Sequence, residues 1–383
     1  MLTNARVYRC ALRTLATVAS GLAAAAAASA AAGPTPAAAA TLHSHVFASA
    51  RLITHPTPQG RAAISQPDDI TYLAGRIYVG FQNGVGPQGQ ASPTGNHDST
   101  VVEFGLNGRR VRQWDLTGKC DGLTADPARG RVIATINEDA HSSLYLVDPA
   151  GRATHLRYSA PLRSNGGTDA ITIYHGLVLI SASAPGTTGA AAPQPYYPAV
   201  YRAEFHLARH LVTLRPLFSD EAAAIVANAG SDRGHRVRLA LTDPDSNEAV
   251  PTFARRFAGD FMLTSQGDME QIFVGRAATA RQSLSVLKLS NSVDDTAWPS
   301  ASDGTLYTTD NGNGRIYRIT GRFRTGSELV AATPCDANDA PSTCPGPGFP
   351  PNYLGEVNPA TGSIARLALS GPAVQPQGML FLR

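Results

Sequence analysis

The 383-residue sequence predicts an all-β protein built from repeated antiparallel sheets, and three observations support this fold class. Charged residues make up only 16% of the chain, while 36 glycines and 27 prolines supply many tight turns. Helical patterns are nearly absent, and residues 221–229 are the one good helix candidate. Short apolar strands recur at a spacing of about 50 residues, which is typical of a four-stranded propeller blade. We therefore predict a β-propeller.

Each repeat contains an acidic residue, a short apolar strand, a turn, and a β-branched strand that ends in a polar residue. Four segments follow this pattern: 68–81, 121–136, 169–181 and 294–309. A weaker copy begins at residues 243–245, and a split copy combines 354–369 with the terminal strand 377–382. This length predicts six blades, or seven, of four strands each. A pair of β-sandwiches, the alternative fold, does not explain the fixed period.

The terminal strand is expected to be the first strand of a blade that a strand near residues 46–53 helps to close. Ring closure matters because it hides sheet edges that would otherwise pair with other molecules.

Residues 1–40 have the layout of a secretory signal peptide: three arginines, then an alanine-rich apolar run, then small residues. Cleavage is expected after Ala30 or Ala40. A membrane-anchoring helix is the alternative, but alanine is weakly hydrophobic and Gly33 and Pro34 interrupt the segment. Residues 41–383 then form a single propeller domain with a Cys-, Pro- and Gly-rich insertion at about 332–352. The predicted location is secreted, either periplasmic or extracellular, without stable membrane anchoring.

The formal net charge of +3 is accounted for by the leader, which holds three arginines and no acidic residue. The mature protein is therefore expected to be near neutral, which argues against nucleic acid or an acidic membrane as a partner. We expect a monomer that binds a small molecule, a glycan or a protein at one rim of the propeller.

Three cysteines follow the leader. Cys335 and Cys344 lie close together in the Pro- and Gly-rich insertion, so a local disulfide is expected in an exported protein. Cys120 is then a free thiol that packs as a small apolar residue. Nothing in the local sequence supplies a base that would make Cys120 catalytic.

Residues 303–316, with the sequence DGTLYTTDNGNGRI, resemble the NHL repeat. The usual form is a Gly-x-Ile-Tyr strand, an Asp, a small polar turn, and Asn-x-Arg-Ile; residues 75–79 and 130–133 resemble only its first half. The chain is thus similar to a group of six-bladed propellers that includes NHL proteins, regucalcin and gluconolactonase-like lactonases, and strictosidine synthase-like enzymes. Resemblance to the regucalcin-like lactonases implies a metal ion held by Glu, Asn and Asp side chains at one rim.

Neighbouring strands of a blade are antiparallel, so strand one begins and strand two ends at the same rim. The residues placed there are Asp69, Asn83, Asp121, Asn137, Glu138, Asp169, Asp295 and Asp310. Such a ring of carboxylates and amides suits Ca²⁺ or another divalent cation. The alternative is that each Asp accepts backbone hydrogen bonds in its turn. Asp169, Asp295 and His97 are the candidate catalytic residues, His97 as a general base in a Gly-rich loop or as a solvated loop residue.

Residues 243–248 carry oxygen ligands at alternate positions, like the start of an EF-hand loop. Glu248 and Ala254 occupy the positions that an EF-hand reserves for Gly and Glu, so an EF-hand is rejected in favour of a polar turn or a looser cation site. The sequence signatures of elbow-type serine hydrolases, zincins, kinases and dinucleotide oxidoreductases are absent.

Two functional classes remain. The first is an exported propeller that binds a ligand at its channel mouth. The second is a metal-assisted hydrolase of lactones or esters, in which rim carboxylates hold a divalent cation. The binding function is favoured at this stage because the sequence lacks a matched catalytic set.

Overall fold

The computed structural model describes residues 41–162, 167–183, 197–342, 344 and 351–383. The predicted signal peptide lies outside these residues, as does part of the predicted insertion. None of the helices in the described part is long and apolar enough to cross a membrane.

The described residues are almost entirely strand and turn, with short 3₁₀ turns at Ala50–Leu52 and Leu207–Arg209. In chain order the strands are β1 Leu42–Ser49, β2 Thr54–Thr57, β3 Gly60–Ala63, β4 Pro67–Leu73, β5 Arg76–Phe81, β6 Asp98–Gly105, β7 Arg110–Thr117, β8 Cys120–Asp126, β9 Arg131–Ile136, β10 Ser143–Val147, β11 Ala153–Tyr158, β12 Ile171–Tyr174, β13 Leu177–Ser181, β14 Pro198–His206, β15 Leu211–Ser219, β16 Ala223–Val226, β17 Arg236–Arg238, β18 Pro244–Ala249, β19 Phe261–Ser265, β20 Glu270–Gly275, β21 Ser283–Lys288, β22 Val293–Ala297, β23 Thr305–Asp310, β24 Arg315–Thr320, β25 Glu328–Ala332, β26 Tyr353–Val357, β27 Ile364–Arg366, β28 Leu369–Ser370 and β29 Met379–Leu382.

Most of these strands group into six antiparallel units of four strands. Blades 1 to 4 are β4–β7, β8–β11, β12–β15 and β18–β21. Blade 5 is β22, β25, β26 and β27, and blade 6 is β29, β23, β24 and β1. The first strands contact one another in blade order, and β29 of blade 6 contacts β4 of blade 1, so the ring is closed. The predicted β-propeller is confirmed, and residues Ala40–Arg383 form one compact unit.

Stacking of neighbouring blades explains why the inner strands are apolar on both faces. In β5, Ile77, Val79 and Phe81 are fully buried in a cluster with Ile316 of blade 6. Tyr78, which alternates with them, packs in a second cluster shared with blade 2. Because side chains alternate across a strand, one strand supplies the core on both sides of its blade.

The chain interleaves blades 5 and 6, and this corrects the fourth predicted repeat. Residues 294–309 do not form the first two strands of one blade: β22 pairs with β25, whereas β23 pairs with β24 and β29. The predicted split copy is wrong for the same reason, because 354–369 contains β26 and β27 of blade 5. The terminal strand is the first strand of blade 6, as expected, and β1 is its fourth.

Residues 221–229 are not helical, since β16 pairs with β17 and β21 at the outer edge of blade 4. Ala224 and Val226 are buried while their neighbours are exposed, and this period of two fits a strand. The expected disulfide is confirmed: Cys335 is bonded to Cys344, with Cα atoms 5.6 Å apart. Cys120 is free and buried, also as expected.

Candidate functional site

The inner end of each first strand carries two residues that sit outside the regular register. In blades 1, 2, 4 and 5 the pairing with the second strand shifts at this point. In blades 3 and 6 the backbone bonds are equivalent, since the N–H groups of Asp169 and Gln377 donate to Ser181 and Thr309. We call the two residues position 1 and position 2. Such bulges re-aim side chains, and here the residues at both positions line the central channel, with the exception of Gln377.

Position 1 carries an acid in five of the six blades. Its residues, in blade order, are Asp68, Asp121, Asp169, Asp245, Asp294 and Gln377. The five acids line a pocket of about 200 Å³ that the first strands of all six blades enclose. We call these five residues the axial ring.

Position 2 carries mostly small residues: Asp69, Gly122, Ala170, Ser246, Asp295 and Gly378. The reason is close approach between blades, because a Cβ at Gly378 would lie 2.3 Å from the carbonyl oxygen of Asp68. Asp69 and Asp295 are the exceptions, and their presence at this crowded position has a different cause from that of the axial ring.

Asp69 and Asp295 link adjacent blades through backbone amides. Asp69 accepts hydrogen bonds from its neighbour Ile70 at 2.6 Å and from Leu123 of blade 2 at 2.5 Å. Asp295 accepts the equivalent bonds from Thr296 at 2.7 Å and Met379 of blade 6 at 2.5 Å. Both acids thus accept backbone hydrogen bonds, which was the alternative to a metal site in the sequence analysis. Burial still raises the pKa of Asp295 to about 7.

The axial ring makes few hydrogen bonds. The Gln82 amide donates to Asp68 at 2.8 Å and to Asp121 at 2.9 Å. Asp121 is 5% exposed, and its Oδ2 has no hydrogen-bond partner among the described residues. Among those residues the carboxylates of Asp169 and Asp245 accept no hydrogen bond either. Burial raises the pKa of Asp121 to about 6 and holds that of Asp169 well above its usual range.

Glu138 completes a three-carboxylate cluster with Asp121 and Asp169. Each residue offers one oxygen, and these oxygens lie within 4.8 Å of one another. Lys119, one of two lysines in the sequence, contacts Glu138 and lies 3.0 Å from Asp121 Oδ1. Burial alone would lower the pKa of Lys119, but the carboxylates around it outweigh burial and raise it. For Glu138, an acid, burial has the opposite effect and raises the pKa to about 8.

This donor set fits a hard divalent cation. It offers only oxygen ligands, and one ammonium group cannot neutralise the acids around it. The buried Asp121 Oδ2 is the clearest sign, because a buried oxygen without a partner is costly and is often explained by an ion or water. Asp121, Glu138 and Asp169 are the residues that would hold the ion.

The structure separates the predicted site residues into two groups. Asp69, Asp121, Asp169 and Asp295 all line the channel, as placed by the strand polarity argument. Glu138 lies beside it, in the cluster with Asp121 and Asp169, whereas Asn83, Asn137, Asp310 and His97 do not line it.

Each residue of the second group is bonded elsewhere on the rim. The side chain of Asn83 donates to Thr100 at 2.9 Å, and that of Asn137 accepts from the Lys119 amide at 2.9 Å. The Asp310 carboxylate accepts from the amides of its own turn, including Asn313. His97 is exposed, with its ring nitrogen 2.9 Å from the Gly89 carbonyl oxygen.

Three ring acids were missed by the sequence analysis: Asp68, Asp245 and Asp294. Asp68 and Asp294 are the first members of Asp-Asp pairs in which the sequence analysis chose the second Asp. The alignment of these two repeats was therefore shifted by one residue toward the C-terminus. Asp245 was considered as part of the start of the weaker repeat and of an EF-hand-like segment, but it was not placed among the rim residues. Alignment on Asp121 and Asp169, where a single acid precedes the strand, would have found all three.

No protein-family model matches the sequence, and no curated protein matches it. Solved structures similar to the chain include a periplasmic gluconolactonase of Pseudomonas aeruginosa, at 12% identity over 85% of this chain and 91% of that one, with a TM-score of 0.46. A protein of unknown function from Bacteroides caccae has 11% identity over 84% and 90%, with a TM-score of 0.46. Virginiamycin B lyase from Staphylococcus aureus has 11% identity over 70% and 72%, with a TM-score of 0.35. At this level of similarity, function has to be inferred from the axial ring itself.

Proposed function

We propose that the protein is an exported hydrolase that binds a divalent cation of the calcium class and cleaves a lactone or carboxylic ester in the channel. The observation that carries this proposal is the cluster of Asp121, Glu138 and Asp169, with the buried, unpartnered Oδ2 of Asp121. The disulfide between Cys335 and Cys344 supports an oxidising compartment, as the leader-like segment does.

A cation bound there would polarise the carbonyl group of the substrate. The pocket of about 200 Å³ favours a small substrate over a polymer. Its acidic walls favour a neutral substrate such as a lactone, because an anion would be repelled wherever the cation does not contact it.

Lys119 is placed to assist at the carbonyl oxygen. An ammonium group has three N–H donors, and two of them are directed to Asp121 and Glu138. The third has no partner among the described residues and would donate to the oxygen on which negative charge develops, which is the usual form of electrostatic stabilisation in acyl transfer.

Asp68 is the best candidate for a general base. The Gln82 amide bridges Asp68 to Asp121, and burial raises the pKa of Asp68 to about 6, near the range that suits proton transfer at neutral pH. Asp68 takes a proton from water as the water oxygen bonds to the carbonyl carbon. The carbon–oxygen bond to the leaving group then breaks, and Asp68 returns the proton to the departing alkoxide, leaving a hydroxy acid.

Metal analysis of the purified protein, calcium titration by calorimetry and a screen of lactones and esters with and without chelator test the proposal. We expect one bound cation per chain and hydrolysis that the chelator abolishes. Asp169→Asn should weaken calcium binding and lower the rate by about 100-fold or more, because it removes a ligand charge and leaves the shape unchanged.

Asp148→Asn is the matched control, since Asp148 lies at the surface beside Arg152, away from the channel. Calcium binding without hydrolysis of any substrate would reduce the function to ligand binding. Absence of calcium binding, or equal binding by the Asp169 and Asp148 variants, would overturn the proposal.

A further inference from the structure

A second pocket lies at the opposite end of blade 5 from the axial ring. Trp298 follows β22, whose other end holds Asp294, so one strand length of about 15 Å separates the two places. The pocket measures about 470 Å³, within the range of small-molecule sites. Its walls include Arg255 and Arg256 from the loop between β18 and β19, and Arg324 from the turn before β25.

Two of the three arginines have no acidic partner among the described residues. Arg324 is paired with Glu356 at 2.9 Å. Arg256 donates instead to two backbone carbonyls, those of Pro359 and Ala227, which carry no charge. Arg255 donates through Nε to the Thr325 carbonyl at 3.3 Å, which leaves its terminal amino groups without a protein partner in the described chain.

Neither acid on the pocket wall neutralises Arg255 or Arg256, since Glu356 is paired with Arg324 and Glu328 is bonded elsewhere. Glu328 is 6% exposed and accepts a hydrogen bond from Gln271 Nε2 at 2.5 Å. Burial raises the pKa of Glu328 to about 7, and no arginine acts to lower it. Burial also lowers the pKa of Arg256, and the like charge of Arg233 adds to this effect.

The wall also has an apolar part. Trp298 is half-buried at the pocket, next to Val357 and Leu367. A ring-bearing ligand can therefore place its apolar part against the indole and its charged group against the guanidinium groups, which suit carboxylate and phosphate geometry.

We propose that this pocket is a binding site for a small organic anion that bears an aromatic or similarly flat ring. The anionic group, a carboxylate or a phosphate monoester, contacts Arg255 and Arg256, and the ring contacts Trp298. The site is separate from the axial ring and does not depend on the cation proposed there.

Calorimetry on the full chain, with phenyl phosphate, benzoate, inorganic phosphate and benzyl alcohol as probes, tests this site. We expect saturable binding of phenyl phosphate or benzoate, weaker binding of inorganic phosphate, and none of benzyl alcohol. Arg255→Gln should weaken binding about tenfold or more, because a charge-assisted contact is lost. Intrinsic fluorescence should change on binding and lose that change in Trp298→Phe, since Trp114, the other tryptophan, is buried in another blade.

Arg109→Gln is the matched control, because Arg109 is exposed on blade 1 and its replacement changes the net charge equally. No saturable binding of any anion at about 10 mM would overturn the proposal. So would equal loss of binding in the Arg255 and Arg109 variants, or binding of benzyl alcohol as tight as that of benzoate.

Discussion

In blades 1 and 5, positions 1 and 2 of the bulge hold the same kind of residue in very different surroundings. Asp294 and Asp295 are adjacent in sequence, as are Asp68 and Asp69. The second acid of each pair is bonded to two backbone amides, one of them in the next blade. The first acid of each pair faces the axis with few donors. The difference shows that the available hydrogen-bond donors, and not the residue type, decide whether a rim acid holds blades together or remains free for a cation.

The largest effect on stability is expected at position 2. Asp295→Ala leaves the amides of Thr296 and Met379 without their acceptor in a buried place, so we expect a loss of about 3 kcal/mol in the free energy of unfolding. Denaturant unfolding measures this loss. Calcium binding per folded molecule should be retained, because the cation is assigned to Asp121, Glu138 and Asp169. An Asp295 variant of normal stability that has lost calcium would reverse the assigned roles of the two positions.

A buried acid at the other end of blade 5 from the axial ring, Glu328, provides the reference for pH effects. Glu328 has an ordinary pKa of 4.5 that burial raises to about 7, so the folded state holds its proton more tightly than the unfolded state. Its contribution to stability is complete below about pH 4.5 and is lost as the pH rises through about 7. Glu328→Gln should remove a pH-dependent loss of about 3 kcal/mol.

Unfolding curves at several pH values, each with and without calcium, measure the Glu328 effect. Calcium should leave it unchanged, in contrast to pH effects that arise in the axial ring. If calcium abolished the Glu328 effect, that carboxyl would have to be coupled to the axial ring, against its position at the opposite end of blade 5.

The smallest expected effect is at position 1 of blade 5. Asp294→Asn removes an ionisable group whose pKa is held well above its usual range by burial and by the charges of Asp68 and Asp295, and it breaks no bond to the backbone. Without calcium we expect a gain of about 1 kcal/mol in stability. Thermal unfolding in the presence of chelator measures the gain, and added calcium should stabilise the wild-type protein more than the variant. A clear loss of stability in chelator would show that Asp294 holds the blades as Asp295 does.

Blades 1 to 3 could be predicted from sequence because their strands pair in chain order and a short turn joins the first two strands of each blade. The acid, strand and turn pattern at 68–81 lies within a single hairpin, and so do its copies at 121–136 and 169–181. Blades 5 and 6 could not, because β22 and β25 pair across the inserted hairpin of β23 and β24. The local pattern of apolar and polar residues does not show which of two adjacent strand-like segments pairs within the same sheet.

The axial ring was predicted in kind but only partly in its residues. Strand polarity placed Asp121 and Asp169 correctly in the channel. It could not resolve the Asp-Asp pairs, because a bulge breaks the period of two that tells one face of a strand from the other. Lys119 and Gln82 belong to no sequence motif that indicates a site, and they come close to the acids only in the folded ring.

The interleaving of the last two blades bears on how such a ring can change by duplication or loss of segments. Blades 1 to 4 each occupy one uninterrupted stretch of chain, so a single event can add or remove one of them as a unit. Any cut that removes blade 5 also removes strands of blade 6, because residues 293–382 supply both. The two blades are therefore inherited together, and we expect homologous recombination or engineered blade exchange to succeed only at boundaries among the first four.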